Sequence, residues 1–214
     1  MCGIYTSNNI IDITNSEIKI NMNSPTKDNI GIKTLAEYIK ITGGTTEITI
    51  IGNQAFGIEK QNTGQINMDS ANVKATVTGT TVRVGILTGN GDLNIFNCSV
   101  NVNGIQKNGT DGYGIFQNYD TQNMSVKGGH IIAQGTGSAI IVKDIEKLKF
   151  NSGDDFDTKV VKASTDFDGT LGVVTDIESN YANSFEAYLK LSGRLATDVA
   201  DKTVIGSITV TISE

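Results

Sequence analysis

Gly-Ile recurs at Gly3-Ile4, Gly31-Ile32, Gly57-Ile58, Gly85-Ile86 and Gly114-Ile115, in steps of 28, 26, 28 and 29 residues, and Ala139-Ile140 follows after 25 more. A period of this length marks one supersecondary unit stacked on the next. Each copy carries a second, alternating apolar pair: Ile11/Ile13, Ile39/Ile41, Ile66/Met68, Leu93/Ile95, Met124/Val126 and Leu148/Phe150. A third pair follows, at Ile18/Ile20, Ile48/Ile50, Val73/Ala75, Val100/Val102 and Ile131/Ala133. Second pair to third pair spans seven residues in four copies and nine in copy two, which predicts a bulge over Gly43-Gly44-Thr45-Thr46.

Alternation with period 2 puts one face of a strand inside and the other outside, and the spacings of three and four that a helix needs are missing. Three short strands per coil, with like residues recurring in phase, predict an all-β, right-handed single-stranded parallel β-helix of about six coils of 25–29 residues. Its core is a set of ladders, one of them Ile4, Ile32, Ile58, Ile86, Ile115 and Ile140. The left-handed form would carry a hexapeptide period, and none is present. The corner between second and third strands is filled in turn by Ser16, Gly44, Ala71, Cys98, Gly129 and Gly153, all small, as a tight inward corner requires. Ile, Val and Thr are abundant, Gly numbers 24 and Pro one, the profile of short strands joined by Asn/Gly corners.

Beyond Phe150 the pattern loosens. The reading is a parallel β-helix over 1–163 and a closing β segment over 164–214. Lys159–Ala163 is a candidate last strand, Ser184–Leu191 a strand that covers the open end, and Val204–Ile212 a further strand. Residues 195–214 either complete this cap or pair with a partner; an end coil needs a cover, which favours the cap.

The chain resembles a group of secreted or surface-exposed bacterial β-helix proteins of the pectin-lyase-like, carbohydrate-binding type. The resemblance rests on the Gly-Ile strand starts, on the run Met124–Ile140 (MSVKGGHIIAQGTGSAI), and on Val161–Gly169 (VKASTDFDG), which is similar to the segment closing such helices. It implies export and an extracellular or cell-surface role. It does not imply an activity, because unrelated functions share the scaffold. Met1 reads as an added start before a repeat already under way, so an export signal would lie upstream.

The formal charge of -6 and sequence pI of about 4.8 argue against a nucleic-acid partner, and no apolar run predicts membrane insertion. Enzymes on this fold need carboxylates projecting together, or a carboxylate-bound Ca²⁺ with a basic residue. The outward positions are mostly Thr, Asn, Ser and Lys with isolated Asp, and the two arginines, Arg83 and Arg194, stand beside no acidic ladder. The single His130 falls on a corner, with Asn72 and Ser99 below it and Asp154 above it in the stack, so a His130–Asp154 charge pair is one reading and a solvated corner the ordinary one. Asp154, Asp155 and Asp157 are dense enough to hold Ca²⁺, although their spacing matches no EF-hand loop and a polar turn is the ordinary reading. No other cofactor is expected.

The longest insertions, Asn21–Ile30, Thr76–Val84 and Asn103–Tyr113, leave one edge and predict a wall of loops. Beside the last of them Asn108, Asp111, Phe116, Tyr119 and Asp120 offer the aromatic faces and polar groups that sugar binding uses, while Tyr113 aligns with Ile30, Phe56 and Val84 and reads as core. Cys2 and Cys98 fall three coils apart, roughly 14 Å at the parallel strand spacing, which is too far for a disulfide. Two free thiols are expected, Cys98 buried. These features favour a non-enzymatic stalk or adhesin, a monomer or weak self-associate, that contacts a glycan or another surface protein. A polysaccharide lyase or hydrolase and a self-assembling structural protein are the alternatives.

Overall fold

The computed structural model describes residues 1–141 apart from 36, 107, 108, 110 and 119–122, together with the backbone of five later strands. Strands β1 (Cys2–Thr6), β4 (Asn29–Thr34), β7 (Ala55–Lys60), β10 (Arg83–Thr88), β12 (Gly112–Gln117) and β14 (Ser138–Ile141) stack in that order as a six-stranded parallel sheet. A second stack runs through β2 (Ile11–Thr14), β5 (Tyr38–Thr42), β8 (Gly64–Asp69), β11 (Gly91–Gln106), β13 (Met124–Gly135) and β15 (Leu148–Phe150). The third holds β3 (Glu17–Ser24), β6 (Thr45–Gly52), β9 (Asn72–Gly79) and the later halves of β11 and β13. No helix occurs among the described residues, and so none long and apolar enough to cross a membrane. The architecture is a parallel β-helix.

The isoleucine ladder is continuous. Ile4 pairs with Ile32, Ile32 with Ile58, Ile58 with Ile86, Ile86 with Ile115 and Ile115 with Ile140. All but Ile4 are buried, and Ile4 packs against the core from the first coil. Each buried Ile stabilises by roughly 1.5–3 kcal/mol relative to an exposed one.

The glycine before each isoleucine has a separate cause. A Cβ on Gly31 would lie 2.7 Å from Ile48 Cγ2 and 2.5 Å from the Gly57 carbonyl oxygen; one on Gly57 would lie 2.8 Å from Ala75 Cβ. The first sheet therefore rests its backbone directly on the third sheet's inner side chains. Each first-sheet strand bends there, so glycine and isoleucine both face inward and the residues flanking the pair face out.

Between second and third strands, Asn15, Ser70 and Asn97 stand at φ of 48°, 52° and 49°, with Gly43 at 61° in the same column. Asn tolerates this left-handed conformation better than most residues, through its short polar side chain. The small residues that follow, Ala71 and Cys98, are buried, as the corner pattern predicts. Hydrogen bonding runs on through this corner in β11 and β13, so the second and third faces belong to one bent sheet.

Two expectations need correction. Copy two carries no bulge: Thr46 pairs with Ile18 and Val73, so the register is unbroken, and its buried hydroxyl occupies the apolar column where the pattern showed a gap. The loop wall is also far smaller than its sequence. Asn21–Ser24, Thr76–Gly79 and Asn103–Gln106 are strand, paired in register, because their outward residues are polar while Met22 and Val77 still point inward. Among the described residues, only short corners remain at that edge.

At the far end, β18 (Ser184–Leu189) pairs antiparallel with β13 across Gly129–Gln134, a strand laid over the last third-sheet rung. Strand β16 (Val160–Ser164), read as a candidate last coil strand, pairs antiparallel with β17 (Gly172–Val173), β18 and β19 (Thr209–Thr211). Among the described residues, β15 is the last strand to stack in parallel.

Candidate functional site

The strand bend at Gly114-Ile115 decides what the first face presents. Tyr113, expected in the core, is half-buried on the outer surface, and its column of Ile30, Phe56 and Val84 lies outside with it. Val84 is buried yet absent from the interior cluster to which its neighbours Ala55 and Ile86 belong. The second outer column is Lys33, Glu59, Leu87 and Phe116.

Tyr113 and Phe116 bring their ring centroids to 5.3 Å at 33°, within the range of aromatic pairing. The Tyr113 hydroxyl donates to Asp111 Oδ1 at 3.5 Å. Burial raises the Tyr113 phenol above its ordinary pKa, and the Asp111 charge and hydrogen bond raise it further. Asp111 itself is exposed. Of the five residues expected to meet a sugar, the structure thus brings Asp111 and Phe116 together through Tyr113. Asn108, Tyr119 and Asp120 lie outside the described residues.

At the other end of this face Lys33 Nζ reaches Glu59 Oε2 at 3.1 Å, with Glu59 only 2% exposed. Gln61 donates its amide to Glu59 Oε1. This is one acid tied to one base, whereas bond cleavage on such a scaffold needs several carboxylates in one groove.

Arg83, beside no acidic ladder, is wholly buried at the start of β10. Its Nη1 donates to the carbonyls of Thr81 and Asp111, while Nε and Nη2 have no hydrogen-bond partner among the described residues. Burial lowers its pKa, and Asp111 offsets part of that. The register places Arg83 between Ala55 and Gly112, whose small size leaves room for a long side chain. That pairing of a large residue with small stack neighbours was the available signal.

His130 stacks above Ser99 and Asn72, as expected. The register position above it belongs to Tyr188 of β18. Asp154, Asp155 and Asp157 lie outside the described residues. Among those described, no three His, Cys, Asp or Glu side chains gather as metal ligands would. Cys2 is exposed and Cys98 buried, both unpaired.

The outward polar residues bond mainly to one another. Glu47 sits between Lys19 and Lys74, 3.6 Å from each, and Lys40 lies 3.7 Å from Asp12. Asn94 donates to Asn67 at 2.9 Å. At the corner, Asn53 donates to Asp28 at 3.1 Å and accepts from Thr80 at 3.0 Å. These contacts link one rung to the next, whereas Tyr113 and Phe116 present a ring pair beside the Asp111 carboxylate. No family model, curated protein or solved structure matches the chain.

Proposed function

We infer that the chain is a non-enzymatic, exported surface module of the stalk or adhesin kind, which contacts glycans on the outer face of its first sheet. The observation that carries this reading is the Tyr113–Phe116 pair beside the exposed Asp111. Two aromatic rings offer apolar area to a sugar face, and a neighbouring carboxylate accepts from its hydroxyls. The stiff stack of ladders behind the pair holds both rings on paired strands, which costs little ordering on binding. The resemblance to pectin-lyase-like surface proteins of bacteria supports the extracellular setting. Against the enzymatic alternative, three carboxylates of the described faces, Glu47, Glu59 and Asp12, each sit in an ion pair with lysine.

A glycan array probed with the whole chain, with and without Ca²⁺, tests the reading. Binding is expected to survive chelation and to fall at least about tenfold in Tyr113→Ala, the loss of roughly one stacked aromatic contact. Retained binding in both Tyr113→Ala and Phe116→Ala removes the site. Turnover of any arrayed polysaccharide removes the non-enzymatic assignment.

A further inference from the structure

The corner between first and second strands holds a different feature, remote in sequence from the aromatic pair. A cleft of about 270 Å³ opens there, lined by Thr63, Gly64, Gln65, Asn90, Gly91 and Asp92. Its floor is bare backbone. A Cβ on Gly91 would fall 1.5 Å from the Gly64 carbonyl oxygen, and Gly64 adopts φ of 129°, so neither position admits a side chain.

Beneath the floor lies Lys60, wholly buried. Its stem runs under Gly64: a Cβ there would lie 2.9 Å from Lys60 Cε. Its Nζ donates to the carbonyls of Asn62 at 2.8 Å and Thr63 at 2.7 Å. A buried ammonium with no carboxylate against it is expensive, and two backbone carbonyls are what compensates it. The consequence is a rim pinned from behind, before any ligand arrives.

The walls offer both hydrogen-bonding senses. Asp92, a lining residue, accepts through Oδ1 from the Asn123 backbone N–H at 2.8 Å and from its Nδ2 at 3.4 Å, which fixes the carboxylate and leaves Oδ2 as its second acceptor. Gln65 accepts from Asn67 Nδ2 at 3.2 Å through Oε1, which leaves its amide N–H₂ to donate. The volume falls just under the ~300–1,000 Å³ of ordinary small-molecule sites, so one ring fits and a chain of rings does not.

We propose that this cleft is a site for a single neutral sugar ring, its hydroxyls bridging Asp92 and Gln65 over the glycine floor, with Lys60 as the positioning residue that holds the rim. The site is independent of the Tyr113–Phe116 reading, and different amides report on the two.

The test is amide NMR of the whole chain titrated with D-glucose, D-galactose and N-acetyl-D-glucosamine in turn, and with CaCl₂ separately. At least one sugar is expected to move the Gly64 and Gly91 amides saturably, with Kd near the ~1 mM of weak small-ligand binding. Asp92→Asn keeps Oδ1 for Asn123 and is expected to weaken binding about tenfold, the worth of one charge-assisted hydrogen bond. Lys60→Met is expected to broaden the Asn62 and Thr63 amides and to weaken binding while the amides of the distant coils stay in place. The proposal is overturned by no movement with any sugar, by movement with Ca²⁺ alone, or by equal affinity in Asp92→Asn. Movement of the Tyr113 and Phe116 amides only would support the outer face and overturn the cleft.

Discussion

Cys98 and Cys2 divide the thiol chemistry of the chain. Cys98 sits in the small corner column, its Sγ donating to the Phe96 carbonyl at 3.1 Å and accepting from the Ala71 N–H at 3.4 Å. Burial pushes its pKa up to about 11, backbone hydrogen bonds opposing the shift in part, so at neutral pH the nucleophilic thiolate is scarce. A thiol reagent at pH 8 is expected to label Cys2 alone in the native protein and both cysteines in denaturant; mass spectrometry reads the difference. The raised pKa also sets a sign. The folded protein holds the Cys98 proton after the unfolded chain has lost it, so this contribution is complete below about pH 9, the ordinary value, and drains away as pH rises toward about 11. Arg83 behaves differently: it is a cation whose burial lowers its pKa, with two guanidinium nitrogens, Nε and Nη2, unpaired among the described residues. Arg83→Met keeps the volume and removes the buried charge, so the denaturation midpoint is expected to stay level or rise. A loss above about 1 kcal/mol would mean that Nε and Nη2 are satisfied in solution.

At the scale of the strand, the columns show which residues depart from their neighbours. Thr46 stands where the other third-sheet strands place Ile18, Val73, Val100 and Ile131, and its Oγ1 is buried with no hydrogen-bond partner among the described residues. Thr46→Val is therefore expected to raise stability by about 1 kcal/mol, read from urea unfolding with an unchanged slope. The same position explains a misreading. The apolar pattern skipped Thr46 and implied two extra residues, whereas register counts positions whatever their polarity. The inner columns of the second stack were legible in full, because Ile11, Ile39, Ile66, Leu93, Met124 and Leu148 recur in phase and pair as spaced. The outer face of the first sheet was not. Strict alternation puts Tyr113 inside with Gly31-type neighbours ignored; the bend at each Gly-Ile puts it outside. Of the candidate sugar-binding group, Asp111 and Phe116 were legible as a type of chemistry, and their meeting through Tyr113 was not.

For the whole molecule, stacking makes the coil the natural unit of change. Each rung contacts its neighbours above and below, so stability is close to a sum of rung and interface terms. Residues 55–82 are one full coil of 28 residues, between Gln54 and Arg83. Their deletion keeps every column in phase and brings Asn29 beneath Arg83. The shortened chain is expected to keep β-type circular dichroism and melt at a lower temperature. Deleting 55–68 alone shifts the three faces out of phase and is expected to abolish the cooperative melt. An equal outcome for the two deletions would contradict the stack.

What the sequence determined by itself is whatever the period carries: the ladders, the strand positions, the small corner and the separation of the two cysteines. Stacked like residues must recur at the coil length, so the fold is written in the chain as a repeat. The tertiary structure alone decided which side of the first sheet each residue faces, how little loop stands at the edge, and where Lys60 and Arg83 bury their charges. Those outcomes depend on how closely the first sheet rests against the third across the interior, a distance set by the meeting of Gly31 with Ile48 and Gly57 with Ala75 and carried by no spacing along the chain.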